Sequence, residues 1–142
     1  DMYNAALKDN ITLKINNAYR SKETQRQIFN DKVKTYLKEG YCEKEAQNKT
    51  ALTVQKPGYS EHETGLAIDF SNEGHYEENE KMWNWLDHNA YKYGFILRYP
   101  KDKYTITKIE YEAWHYRYVG KKAAREIKNK NITLEEYLGG NL

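Results

Sequence analysis

The sequence predicts an α+β fold in which helices pack against a small antiparallel sheet. Helical patterns come first along the chain and short strand patterns follow, an order typical of segregated helices and strands. The 142 residues suit one domain, 1–142, which is large enough to form a core without disulfides or structural metals. Fourteen tyrosines, three tryptophans and three phenylalanines can build that core, although the mean hydropathy is −1.06.

The first strand is predicted within residues 11–20, which alternate apolar and polar side chains. Ser21 can cap a helix that begins at Lys22, and Gly40 ends it. Residues 43–54 predict a second helix. The apolar stripe of the first helix consists of Ile28, Phe29, Val33, Tyr36 and Leu37.

The middle of the chain opens with a loop, because Pro57 and Gly58 break regular structure. GLAIDF, residues 65–70, is typical of a short strand. A third helix is predicted over 77–93, with Gly94 after it. Its apolar side carries Met82, Trp83, Leu86, Ala90 and Tyr93.

The last third of the chain mixes strands and helices. FILRY (95–99) and YTITKI (104–109) are predicted to pair as a hairpin, and 114–119 to form another strand. Gly120 leads into a helix, and Thr133–Glu136 has the capping-box pattern that opens a short final helix.

The composition argues against several classes of function. With 23 basic and 21 acidic residues the net charge is only +2, so no nucleic-acid partner is expected, and Lys121–Lys130 is interpreted as a solvated helix face. Cys42 is the only cysteine, which excludes an intramolecular disulfide, and its acidic neighbours disfavour a reactive thiolate. No apolar run reaches transmembrane length. The chain begins at Asp1, so we expect the full-length protein to carry an anchor or signal that is missing here.

The segment SEHETGLAIDF (60–70) holds the first candidate functional residues, His62 and Asp69. In a strand, Asp69 shares a face with Gly65 and Ala67, whose small side chains leave room for an ion or a substrate. The opposite, core-facing side carries Leu66, Ile68 and Phe70. The alternative is that Asp69 caps a turn and His62 lies on the surface.

The segment YEAWHYRYVG (111–120) adds Glu112 and His115. In a straight strand these two would face opposite ways, but a turn or bulge at Ala113–Trp114 can bring both to one pocket. Two histidines and one acid that leave an open position are a catalytic zinc arrangement, and a second acid can act as general base. The alternative is a strand in which Glu112 pairs with Arg117.

Arg20 lies where the first strand gives way to the first helix. A guanidinium there can reach over the sheet edge toward a substrate oxygen. The alternative is a surface ion pair. His75 and His88 flank or lie in the acidic third helix, and we expect both on the surface.

Four motifs together resemble the bacterial zinc D-Ala-D-Ala carboxypeptidases of the VanY type. They are AYRS (18–21) with Gln25, SEHETGLAIDF, GFILRYP (94–100) and EAWHYRYVG. The motifs occur in order across nearly the whole chain. The resemblance implies the Hedgehog/DD-peptidase-like α+β fold, with zinc on one sheet face.

The resemblance also implies a role for each site residue. It makes His62, Asp69 and His115 the zinc ligands. It makes Glu112 the general base and Arg20 the group that binds the scissile carbonyl and steadies the oxyanion. Substrate contacts are expected from Ser60, Gln25 and Trp114. One position departs from the family pattern: Ala113 stands where relatives often have proline, and alanine can adopt the same backbone angles.

The activity that the resemblance implies is removal of the C-terminal D-alanine from a peptidoglycan stem peptide, by a monomer outside the bacterial cell membrane. An L,D-carboxypeptidase that trims tetrapeptide stems would carry the same motifs. A D-Ala-D-Ala dipeptidase would need a segment that closes its pocket, and no such segment is evident. A non-catalytic cell-wall binding module is disfavoured, because it has no need of Glu112 beside His115.

Overall fold

Four short strands form one antiparallel sheet in the computed structural model, which describes residues 1–139. They are β1 (Ile15–Asn17), β2 (Ala67–Phe70), β3 (Phe95–Leu97) and β4 (His115–Tyr118). Their order across the sheet is β1-β2-β4-β3, and each neighbouring pair is antiparallel. The predicted α+β class is therefore confirmed.

Helices account for most of the remaining regular structure. They are α1 (Met2–Lys8), α2 (Lys22–Lys38), α3 (Glu43–Ala51), α4 (Tyr76–Asn89), α5 (Tyr104–Thr107), α6 (Lys121–Lys130) and α7 (Leu134–Tyr137). Two short 3₁₀ turns, Glu61–Thr64 and Ala90–Tyr93, precede β2 and β3. Across residues 1–139, no helix is both long and apolar enough to cross a bilayer.

The main core lies between the sheet and α4. Phe70 of β2 and Tyr116 of β4 point into it, and their rings meet edge to face with centroids 5.8 Å apart. Met82, Trp85 and Leu86 approach from α4, and α1 closes one side. This packing leaves the other face of the sheet free to carry polar side chains.

Two smaller apolar clusters attach the remaining helices. Phe29 and Val33 of α2 pack on Ala46 of α3, so these two helices form a unit beside the sheet. Ile96 of β3 packs on Ala124 and Ile127 of α6. Each cluster follows from an apolar stripe on an otherwise polar helix.

Several local predictions are confirmed. The Ser21 hydroxyl accepts a 3.1 Å hydrogen bond from the Thr24 N–H and caps α2 at its predicted start. Thr133 and Glu136 form the predicted capping box of α7. The second helix ends at Ala51, three residues earlier than predicted.

The predicted strand over 104–109 is wrong. This segment begins with the short helix α5, and β3 pairs with β4 in its place. The Thr107 hydroxyl contacts the backbone of Lys103 and Ile109, so local hydrogen bonds replace the ladder of a strand. The prediction that Leu66 faces the core is also wrong, because Leu66 lies before β2 and is exposed. Helix α1 was not predicted.

Leu86 should be a main determinant of stability, because it is fully buried between α4 and the sheet. We expect Leu86→Ala to lower the free energy of unfolding by about 2–5 kcal/mol, through lost burial and an unfilled cavity. Leu138→Ala is the matched control, because that leucine is 73% exposed and its loss should change stability by less than about 0.5 kcal/mol. Urea denaturation of both variants measures the difference, and equal stability would contradict this description of the core.

Candidate active site

The pairing of β2 with β4 sets Asp69 directly across from His115. Both side chains lie on the sheet face opposite the main core. His62 comes from the 3₁₀ turn that precedes β2 and lies over the same face. The fold therefore brings His115 together with Asp69, 46 residues earlier in the chain, and with His62, 53 residues earlier.

The three side chains converge on one point. The Asp69 Oδ2 atom is 3.2 Å from His62 Nε2, and Asp69 Oδ1 is 3.2 Å from His115 Nδ1. One donor atom from each residue lies within 4.8 Å of the others. Two imidazole nitrogens and one carboxylate oxygen at this spacing can hold a single metal ion.

Each imidazole presents a defined nitrogen to that point. The Nδ1 atom of His62 is 2.7 Å from the Ala18 carbonyl, which can only accept, so Nδ1 carries the proton and Nε2 is left as the free lone pair. His115 is turned the other way, with Nδ1 toward Asp69 and Nε2 3.6 Å from Glu61 Oε2. Both rings are thus oriented for ligation.

Glu112 reaches the same pocket because of the predicted turn at Ala113–Trp114. The His115 N–H donates to the Glu112 carbonyl at 3.2 Å, which closes that turn. The Glu112 carboxylate then lies 3.5 Å from His115 Nδ1. The alternative pairing of Glu112 with Arg117 is wrong, because Arg117 lies 3.3 Å from Glu61.

Burial and the neighbouring charges shift the pKa values of the side chains in the pocket. Burial raises the pKa of Glu112 to about 7, Asp69 adds to this rise, and His115 and Arg20 oppose it. Burial lowers the pKa of His115, but Asp69 and Glu61 outweigh burial and raise it to about 9. A metal ion that binds His115 at neutral pH would therefore displace a proton.

Arg20 borders the site from the segment between β1 and α2. Its Nη1 donates to Gln25 Oε1 at 2.7 Å, and its Nη2 is 3.8 Å from Asp69 Oδ2. Gln25 is fully buried and donates in turn to the Gln55 carbonyl at 2.6 Å. Arg20 is thus held in place by a buried amide and is not the surface ion pair of the alternative interpretation.

All the site residues predicted from the sequence line one cavity of about 480 Å³. Ser60 is buried at its wall, while Trp114 is partly exposed at its edge. Helix α2 and the segment that follows α3 form the opposite wall. That wall is formed by Ile28, Lys32, Thr53, Val54 and Gln55. A cavity of this size, open to solvent, can admit the end of a peptide.

Unpaired polar atoms concentrate in this site. Six buried side-chain nitrogen or oxygen atoms within residues 1–139 have no hydrogen-bond partner, and four of them belong to the site or its surroundings. They are Arg20 Nε, Glu61 Oε2, Asp69 Oδ1 and His115 Nε2. Buried polar groups without partners are rare, so their clustering indicates a place built to bind an ion or substrate.

Three residues at the site were missed by the sequence analysis. Glu61 contacts His115, Arg98 holds Glu61, and Tyr99 packs on the His115 ring with centroids 4.9 Å apart. Their only signal was membership of the SEHE and LRYP motifs. His75 and His88 are exposed, as predicted, and Cys42 is exposed as well.

Comparison with known protein families gives a direct match. The sequence model of the VanY family, described as D-alanyl-D-alanine carboxypeptidase, matches residues 1–121. A D-alanyl-D-alanine carboxypeptidase of Enterococcus faecalis is 41% identical over 138 residues, covering 97% of this chain and 52% of the relative. The chain thus spans about half the length of this curated relative.

Solved structures share the fold. VanYB in complex with D-alanine-D-alanine is 40% identical, covers 100% of this chain and 78% of its own, and superposes with a TM-score of 0.93. A mutant of the vancomycin resistance D,D-pentapeptidase VanY in complex with Zn(II) is 41% identical, covers 97% and 78%, and has a TM-score of 0.90. With its motifs, fold and pocket all in agreement, this chain belongs to the VanY family of D-alanyl-D-alanine carboxypeptidases.

Proposed function

We propose that this chain is the catalytic part of a zinc peptidase that removes the C-terminal D-alanine from peptidoglycan stem peptides. The observation that carries this proposal is the convergence of His62, Asp69 and His115, with Glu112 beside them, in a cavity open to a peptide end. Family membership supports the same activity.

The donor set fits zinc. His62 and His115 each offer a nitrogen, and Asp69 offers a carboxylate oxygen, while no fourth protein ligand closes the group within the described residues. The buried Asp69 Oδ1 has no hydrogen-bond partner among the described residues, which suits an atom that binds a cation. When bound, zinc supplies Lewis acidity, which lowers the pKa of a water molecule and polarises a carbonyl. The zinc-containing VanY relative supports this choice of metal.

Glu112 is proposed as the proton carrier. Its carboxylate lies beside the metal donors but is not one of them, so it can accept a proton from the attacking water and return it to the leaving amine. Burial keeps its pKa near 7, which makes it a stronger base than an exposed glutamate. A divalent cation nearby would lower this pKa and keep Glu112 ionised at neutral pH.

Arg20 is proposed to bind the scissile carbonyl oxygen. Its Nε is buried without a partner among the described residues, and Gln25 fixes the rest of the guanidinium. A positioned cation of this kind stabilises negative charge as it develops on the oxygen. Ser60 and Trp114 are proposed to contact the peptide, because both line the same cavity.

The proposed substrate also indicates where in the cell the protein acts. Stem peptides belong to the cell wall, so we place the active protein in the bacterial cell envelope, outside the membrane, acting as a monomer and possessing no nucleic-acid partner. The D-alanine-D-alanine complex of VanYB supports a D,D specificity. The L,D specificity predicted as the alternative needs the same donors and is separated from it by experiment.

Defined stem peptides test the function. We expect the zinc-loaded chain to release D-alanine from a pentapeptide stem that ends in D-Ala-D-Ala, and to leave a tetrapeptide stem intact. Mass spectrometry of both reactions, with zinc content measured in the same sample, provides the readout. A chelator-treated sample should lose the activity and regain it with added zinc.

The other outcomes of this experiment are equally decisive. Trimming of the tetrapeptide alone would assign the chain to L,D-carboxypeptidases. Cleavage of free D-Ala-D-Ala in preference to the stem would make it a dipeptidase. Binding of stems by zinc-loaded protein with no amine released would leave a non-catalytic module and overturn the proposal.

Substitution of Glu112 by glutamine separates binding from chemistry. Glu112→Gln keeps the size of the side chain but removes its basicity, so kcat on the pentapeptide should fall by about 10²–10⁴-fold while zinc stays bound. Glu73→Gln, at an exposed glutamate in a loop, is the control and should leave kcat unchanged. Near-normal turnover of Glu112→Gln with zinc in place would remove Glu112 from the mechanism.

Arg20→Ala should lower kcat/KM by about 10²–10³-fold without loss of zinc, because one donor to the developing oxyanion is missing. Arg20→Lys should recover little of this, since lysine lacks the planar fork that contacts Gln25 and substrate together. Arg26→Ala removes an exposed arginine of α2 and serves as the control. Steady-state kinetics decides, and activity of Arg20→Ala within a few-fold of wild type would contradict the assignment.

A further inference from the structure

Glu61, in the SEHETGLAIDF motif, turns its carboxylate toward the metal donors but is not one of them. Its Oε2 lies 3.6 Å from His115 Nε2. Both atoms are buried, and neither has another hydrogen-bond partner within residues 1–139. Two unpaired atoms of complementary type at this separation need only a small approach to satisfy each other.

The second oxygen of Glu61 is already occupied. Arg98 Nε donates to Oε1 at 2.7 Å, and Arg117 Nη1 lies 3.3 Å from the same atom. Arg98 directly follows β3 and Arg117 lies in β4, so the two guanidinium groups fix the carboxylate relative to the sheet that carries His115. Because both arginines contact Oε1, the other oxygen, Oε2, points toward the His115 imidazole.

We propose that Glu61 is a positioning residue that accepts the Nε2 proton of His115 and so keeps Nδ1 free to bind the metal. A neutral imidazole carries one N–H, so a carboxylate at Nε2 fixes which nitrogen keeps the lone pair. Carboxylates that orient ligating histidines in this way also raise their basicity. The inference rests on the proposed zinc site and adds a residue to it.

The chain supplies a matched control in Glu135. This residue of α7 binds the other end of Arg98, with distances of 3.0 Å to Nη1 and 2.6 Å to Nη2. Its removal disturbs the same arginine but leaves the Glu61 contact with His115 in place. Glu61→Gln and Glu135→Gln therefore separate orientation of His115 from general support by the ionic network.

Zinc affinity of the whole chain, measured by competition with a chelating indicator, is the first readout. We expect Glu61→Gln to bind zinc about 10–100-fold more weakly than wild type, because the amide can turn its NH₂ toward Nε2 and favour the wrong tautomer. Glu135→Gln should bind zinc within a few-fold of wild type. Equal affinity of Glu61→Gln and wild type, or an equal loss in both variants, would overturn the proposal.

A second readout uses the wild-type chain, so it remains valid even if the variants do not fold. Nitrogen-15 NMR of the zinc-loaded protein should place the His115 proton on Nε2, in a downfield, slowly exchanging resonance. A proton on Nδ1 would overturn the role of Glu61. Failure of the wild-type chain to bind zinc at all would overturn the proposed function and this inference together, whereas the outcomes above concern Glu61 alone.

Discussion

The antiparallel register of β2 and β4, with Asp69 opposite His115, is the constraint on which the candidate metal site depends. Ile68 pairs with Tyr116 in the same register, and because side chains alternate, that pair faces the core while Asp69 and His115 face the cavity. A slip of one residue would put a carboxylate into the core and a tyrosine into the pocket. Burial of Tyr116 against α4 therefore fixes the geometry of the sheet face that carries Asp69 and His115.

A network of charged side chains lies on the polar side of the sheet. Arg98, which directly follows β3, binds both Glu61 and Glu135, and Arg117 of β4 also pairs with Glu61. These ion pairs join the 3₁₀ turn to β4, to the end of β3 and to α7. Buried pairs of this kind contribute little net stability, because desolvation offsets much of their attraction. Their effect is geometric: they hold the turn that carries His62 at a fixed distance from β4.

The sequence predicted the helices with clear caps and stripes, and it identified the three candidate metal donors, His62, Asp69 and His115. Those predictions succeeded because capping and apolar periodicity are local, and because four motifs matched a family together. The strand predicted at 104–109 failed because alternation alone cannot show whether a segment finds a partner strand: β3 pairs with β4, and 104–107 forms helix α5. Glu61 was missed since an acid in a polar turn normally faces water, and its partners Arg98 and Arg117 are distant in sequence.

The two imidazoles differ in whether a substitution can remove the group that orients them. His62 is oriented by the carbonyl of Ala18, a main-chain atom that every substitution at position 18 retains. His115 faces a carboxylate, which a single codon change can remove. Drift in related sequences should therefore be tolerated at position 18 and constrained at position 61. The same asymmetry makes the Glu61 side of the pocket the more accessible one for tuning metal affinity by design.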